Sequence, residues 1–125
     1  MKYLIRHIVL LCGLLLAGCM KWDYGDTVED FNATGAGLFI TNEGNFQYGN
    51  ASLSYYDPET KQVQNEIFFR ANGMKLGDVA QSMIIHDNKG WVVVNNSHVI
   101  FAIDLNTFKE VGRIENLTSP RYIHF

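Results

Sequence analysis

Two hairpins of this chain can be laid on one another, and that duplication constrains the fold more than any other feature. Gly37-Leu38-Phe39-Ile40-Thr41-Asn42 matches Gly90-Trp91-Val92-Val93-Val94-Asn95, and each is followed by an apolar strand ending in Asp. The two ends read Tyr55-Tyr56-Asp57-Pro58-Glu59-Thr60 and Ala102-Ile103-Asp104-Leu105-Asn106-Thr107, with Asp and Thr three apart in both. A third correspondence pairs Ser82-Met83-Ile84-Ile85-His86 with Pro120-Arg121-Tyr122-Ile123-His124, a shift of 38 residues. An Asp at a strand end accepts hydrogen bonds from the N–H groups of the turn that follows, and a Thr closes that turn. The shared pair is therefore expected to fold the same hairpin in each copy, a structural role and not a catalytic one.

Around these matches the chain alternates short β-branched and aromatic runs with turn residues. The pattern predicts strands at Leu38 to Asn42, Ser52 to Tyr56, Val63 to Phe69, Ser82 to His86, Gly90 to Asn95, Val99 to Asp104 and Val111 to Glu115. Turns are expected at Asp57 to Thr60, Asp87 to Gly90, Asn95 to Ser97 and Asp104 to Thr107. No window has the period of an amphipathic helix, and Ala71 to Ala80, with Gly73 and Gly77, reads as a loop.

A unit of about 40 residues built from four short strands is the signature of a β-propeller blade. Each blade has two apolar faces that only neighbouring blades can cover, so propellers close with roughly 4 to 8 of them. The expected class is all-β, with residues 37–125 holding one full unit, one partial unit and the first strand of another. The chain stops at Tyr122-Ile123-His124-Phe125, inside what should be an inner strand. That reads as a fragment of a longer protein, expected to be poorly soluble alone because it would expose strand edges and apolar faces.

The first residues carry a different message. Lys2 and Arg6 precede an apolar run from Ile8 to Leu16, then Ala17 and Gly18 stand before Cys19. This is the order of a secretory signal, and the run falls far short of the roughly 20 residues that span a bilayer. Leu16-Ala17-Gly18-Cys19 is similar to the lipobox of bacterial lipoprotein precursors, which makes residues 1–18 a signal peptide and Cys19 the lipid-bearing first residue. The alternative is a plain signal peptide with an incidental cysteine. Cys12 leaves with the signal, so no thiol remains for a disulfide or a metal. Residues 19–36 lack either period and read as a tether of about 17 residues, roughly 55 Å when extended. Within it Asp26-Thr27-Val28 resembles a short O-glycosylation acceptor motif, an ordinary solvated linker being the other reading.

Charge narrows the partners. Loss of Lys2 and Arg6 leaves 8 basic residues against 13 acidic ones in the mature chain, a formal −5. Nucleic-acid binding is not expected at that balance, and without a basic stripe the lipid itself has to anchor the protein. No nucleophile elbow, zinc helix or calcium loop is present, so no catalytic residue, metal or cofactor is expected. His86 and His124 occupy equivalent repeat positions, which favours a strand-end role over metal binding.

Two groups of residues are candidates for ligand contact. The loop Glu43 to Asn50 offers Asn45, Phe46 and Tyr48 at a rim where they would stack on a flat ligand. The competing account has Phe46 and Tyr48 packing over the blade edge. Gln81 and Arg121 belong to strands expected to be innermost, where they would line a central channel or serve blade-to-blade hydrogen bonding.

The motifs Asn42-Glu43-Gly44-Asn45-Phe46, Ala51-Ser52-Leu53-Ser54-Tyr55-Tyr56-Asp57, Lys75-Leu76-Gly77-Asp78-Val79-Ala80-Gln81-Ser82 and Val94-Asn95-Asn96-Ser97 resemble the YncE-like propeller lipoproteins of Bacteroidota. The resemblance covers Gly37 to Phe125. It implies a seven-bladed propeller, of which this chain would hold about two blades. It also implies an outer-membrane, cell-surface location and capture of a ligand, in some members cobalamin or a related corrinoid, for an outer-membrane transporter. A propeller-type lyase or hydrolase and a surface adhesion or scaffold protein remain the alternatives.

Overall fold

The computed structural model describes residues 35–125, so the expected signal peptide, Cys19 and all but the last two residues of the expected tether lie outside the described residues. Seven strands and one short helix follow in the order β1 (Leu38–Asn42), β2 (Ser52–Asp57), β3 (Gln62–Gln64), α1 (Ile67–Asn72), β4 (Ala80–His86), β5 (Lys89–Val94), β6 (Val99–Asp104) and β7 (Glu110–Ile114). They form two antiparallel meanders, a three-stranded sheet β1-β2-β3 and a four-stranded sheet β4-β5-β6-β7. The class is all-β, as expected, and both sheets have the form of blades.

The duplication holds in three dimensions. β1, β2 and β3 correspond to β5, β6 and β7, while among the described residues β4 has no counterpart before β1. The glycines that open the matched segments, Gly37 and Gly90, are both hemmed in by core side chains. A Cβ on Gly37 would overlap the Tyr55 ring, and one on Gly90 would overlap Met83 Cε and stand 3.0 Å from Ile103 Cγ1.

Strand alternation builds the core. Leu53 and Tyr55 of β2 face Val92 and Val94 of β5 and Phe101 and Ile103 of β6, all nearly or fully buried. Phe39, Tyr55 and Phe108 form a three-ring cluster with centroids 5.2 to 5.8 Å apart. Phe68 packs on Phe101 at 5.0 Å.

Two expectations need correction. The strand expected over Val63 to Phe69 ends at Gln64, and Ile67–Asn72 is helical. Burial decides this: as a helix the segment inserts Ile67 and Phe68 into the gap between the sheets, at 2% and 1% exposure. Glu66, at φ 55°, breaks the strand, and Gly73, at φ 66°, closes the helix by donating its N–H to the Phe69 carbonyl. The second correction concerns Pro120 to His124, which forms no strand. Side chains, not a backbone ladder, hold it: Asn95 Nδ2 donates to the Pro120 carbonyl at 2.9 Å and Ser82 Oγ to that of Arg121 at 2.8 Å. Phe125 stacks on His86, with ring centroids 4.1 Å apart, and touches Trp91. The segment therefore lies over the face of the second sheet that carries Ser82, His86, Trp91 and Asn95, the face on which Val93, Ile100 and Ala102 are also buried.

Candidate functional site

The two ends of the sheets are built differently. At one end the strands are joined by tight turns. Asp57 Oδ1 accepts the N–H groups of Glu59 and Thr60 at 2.8 and 3.4 Å. Asp104 Oδ1 accepts those of Asn106 and Thr107, at 3.0 and 2.8 Å, together with the Thr107 hydroxyl at 2.9 Å. Lys61 and Phe108 then adopt the same left-handed backbone, φ 58° in both. The Thr107 N–H and the Thr107 hydroxyl hold the Asp104 carboxyl below its ordinary pKa against an opposing effect of burial, with a lesser contribution from the Asn106 N–H. Asp87 and Asn88, both at positive φ, make the third turn of this end, a two-residue hairpin.

At the opposite end lie residues 43–51, 65–79, 95–98 and 115–120, among them the two longest connections of the described residues. Loops of this kind, carried by a rigid sheet, are where binding residues concentrate. Asp78, 7% exposed, ties three of them together. Its Oδ2 accepts the Gln47 N–H at 2.8 Å and Asn96 Nδ2 at 2.5 Å, while its own N–H donates to Ser97 Oγ at 2.8 Å. Its Oδ1 is buried and has no hydrogen-bond partner among the described residues. Gly77 makes the approach possible: its φ of 123° suits glycine, a Cβ would overlap Ser97 Oγ, and its carbonyl accepts the Ala51 N–H at 3.0 Å.

On this frame the loop from Glu43 to Asn50 is folded by short-range bonds. Asn50 Oδ1 accepts the Asn45 N–H at 2.8 Å, and the Asn45 carbonyl accepts the Tyr48 N–H at 3.0 Å. Phe46 and Tyr48 do not pack over the sheet edge: they are 62% and 75% exposed. Gln81 is the extra residue of a β-bulge, since Ala80 pairs with Val94 and Ser82 with Val93. Arg121 is exposed and lies beside it through the Ser82 bond. Gln81 and Arg121 are thus neighbours, as are Asn45, Phe46 and Tyr48, but among the described residues no hydrogen bond joins the two groups.

Next to the loop a cavity of about 480 Å³ opens between β2 and α1, lined by residues 50–53 with Glu66, Phe68, Phe69, Lys75 and Leu76. Reading the sequence alone missed this cavity along with α1, and missed Asp78 as the tie between loops. The available signal for Asp78 was the Gly77-Asp78 pair, with its turn chemistry just before a strand. His98 is occupied structurally, its carbonyl accepting the Leu117 N–H and its Nδ1 the Ser119 N–H at 3.0 and 3.2 Å. Among the described residues no three His, Cys, Asp or Glu side chains gather as a metal site would require.

Repeated antiparallel sheets, with anchored turns at one end and long tied loops at the other, define a repeat-built all-β domain of blade-like sheets. The chain belongs to the family described as Domain of unknown function (DUF5074), whose model matches residues 36–125. No curated protein matches it.

Proposed function

We propose that this chain belongs to a lipid-anchored, non-enzymatic binding protein of the YncE-like propeller type, held by Cys19 at the outer membrane and displayed at the cell surface. Its ligand face is the long-loop end, and the ligand, a corrinoid or another nutrient, is handed to an outer-membrane transporter. The observation that carries this reading is the exposure of Phe46 and Tyr48 on a loop pinned from below by Asp78. Two solvated aromatic rings on a fixed base suit a flat ligand, because stacking needs rings that are held but uncovered. The anchored turns of the opposite end serve as scaffold.

Titration of the protein with cobalamin, followed by tryptophan fluorescence and calorimetry, tests the ligand. A saturable change that weakens in Phe46→Ala and Tyr48→Ala is expected, and no saturation in either method rejects a corrinoid. Labelling cells with a fatty-acid probe tests the anchor: label is expected on the wild type and absent from Cys19→Ala, and a labelled variant would refute lipidation at that residue.

A further inference from the structure

The cavity between β2 and α1 has a mixed chemistry that the fold does not require. Its floor is apolar: Leu53, Phe68 and Leu76 are 0%, 1% and 3% exposed. Phe69 is different, leaving 43% of its surface open at the same cavity. A six-residue helix that buries one phenylalanine and presents the next to a concavity has made an aromatic wall. Two opposite charges join this lining, Glu66 and Lys75. Neither has an ion-pair partner among the described residues, where the ion pairs join His86 to Asp87 and Arg113 to Glu110 and Glu115.

Glu66 also sits at φ 55°, ψ 32°, a left-handed conformation that disfavours residues with a Cβ, and its side chain caps no helix N–H. Glycine would fit that backbone better. With neither a capping bond nor an ion pair among the described residues, its carboxylate is open to the cavity.

We infer that this cavity is a binding site for a small zwitterionic molecule with a flat apolar body, an aromatic amino acid being the simplest of the class. Phe69 and the floor take the ring, Lys75 pairs with the carboxylate and Glu66 with the ammonium. The volume of about 480 Å³ lies within the range of small-molecule sites, roughly 300–1,000 Å³. Phe46 and Tyr48 do not line this cavity, and the inference does not depend on the proposed capture of a corrinoid.

Four probes separate the contributions. L-tryptophan carries both charges, indole-3-propionate only the carboxylate, tryptamine only the ammonium and indole neither. Calorimetry or ligand-observed NMR on the whole chain should give a Kd for tryptophan on the order of 0.5 mM, as expected for a ligand of this size. Indole-3-propionate and tryptamine should each bind about two- to fivefold more weakly than tryptophan, and indole more weakly still. Lys75→Met should weaken tryptophan and indole-3-propionate while leaving tryptamine unchanged, and Glu66→Gln should weaken tryptophan and tryptamine while leaving indole-3-propionate unchanged. Phe69→Ala should weaken all four. Glu66→Gly should raise the Tm while losing the preference for the ammonium, which a purely structural glutamate would not do. Equal affinity for indole and tryptophan, or no saturable binding of any probe by a chain with native circular dichroism, overturns the inference.

Discussion

Replacing Asp78 with alanine removes the tie that holds three loops at one end of the molecule, and the cost follows from its bonds. Oδ2 accepts two hydrogen bonds, from the Gln47 N–H at 2.8 Å and Asn96 Nδ2 at 2.5 Å. Bonds to a charged group contribute about 1.5–3 kcal/mol each. Oδ1 is buried without a partner among the described residues, so its removal returns about 1–3 kcal/mol of desolvation. The net loss is about 2–3 kcal/mol, which in a domain of ~90 residues lowers Tm by roughly 10–20 °C. Asp78→Asn keeps an acceptor but loses the charge and should cost about half as much. Asn96→Ala removes one of the two bonds, so a thermal-denaturation cycle of Asp78→Ala and Asn96→Ala should show a coupling of about 1–1.5 kcal/mol. Hydrogen exchange gives a local reading: the Gln47 amide, protected in the wild type, should exchange faster in Asp78→Ala. Additivity of the two mutations within about 0.5 kcal/mol, or a Gln47 amide unaffected by Asp78→Ala, would refute the role assigned to this carboxylate.

Three further outcomes are expected. Gly37→Ala should cost about 1–3 kcal/mol by thermal denaturation, because the Tyr55 ring it would strike is wedged between Phe39 and Phe108, whereas Gly90→Ala should cost less since the flexible end of Met83 can move. Asp104→Ala should destabilise by about 1 kcal/mol at neutral pH. The Asp104 carboxyl is depressed in the folded state, so its contribution is present above the unfolded carboxyl's pKa and lost as pH falls through the folded one; chemical denaturation should therefore show the mutant and wild type converging below about pH 4. Phe46→Ala and Tyr48→Ala should leave the denaturation midpoint within about 0.5 kcal/mol of wild type, as exposed rings contribute little, and a larger loss would mean that these rings pack after all.

The contrast between the two ends has a simple physical origin. A tight turn can be specified by a few neighbouring residues, and Asp57 and Asp104 specify theirs through bonds two and three residues away. The long loops satisfy their polar groups at a distance: Gln47 is 31 residues from Asp78, and Ser82 is 39 from Arg121. Such loops are free to differ in sequence wherever their ties are kept, which suits a surface that selects a ligand.

By itself the sequence determined what is local. β1 and β6 fall where alternation places them, and the duplicated Asp-x-x-Thr turns form the bonds their spacing requires. The all-β class follows from these short periods. Tertiary structure alone decided the rest. Ile67-Phe68-Phe69 reads as strand by propensity, yet the space between two sheets made it a helix, because only there could Ile67 and Phe68 be buried together. It also decided that Phe46 and Tyr48 stay in solvent, that Asp78 joins loops far apart in the chain, and that Phe69, Glu66 and Lys75 share one cavity. Hydrophobic period reports which residues want cover; which neighbour supplies it depends on contacts between distant segments, and no local pattern encodes those.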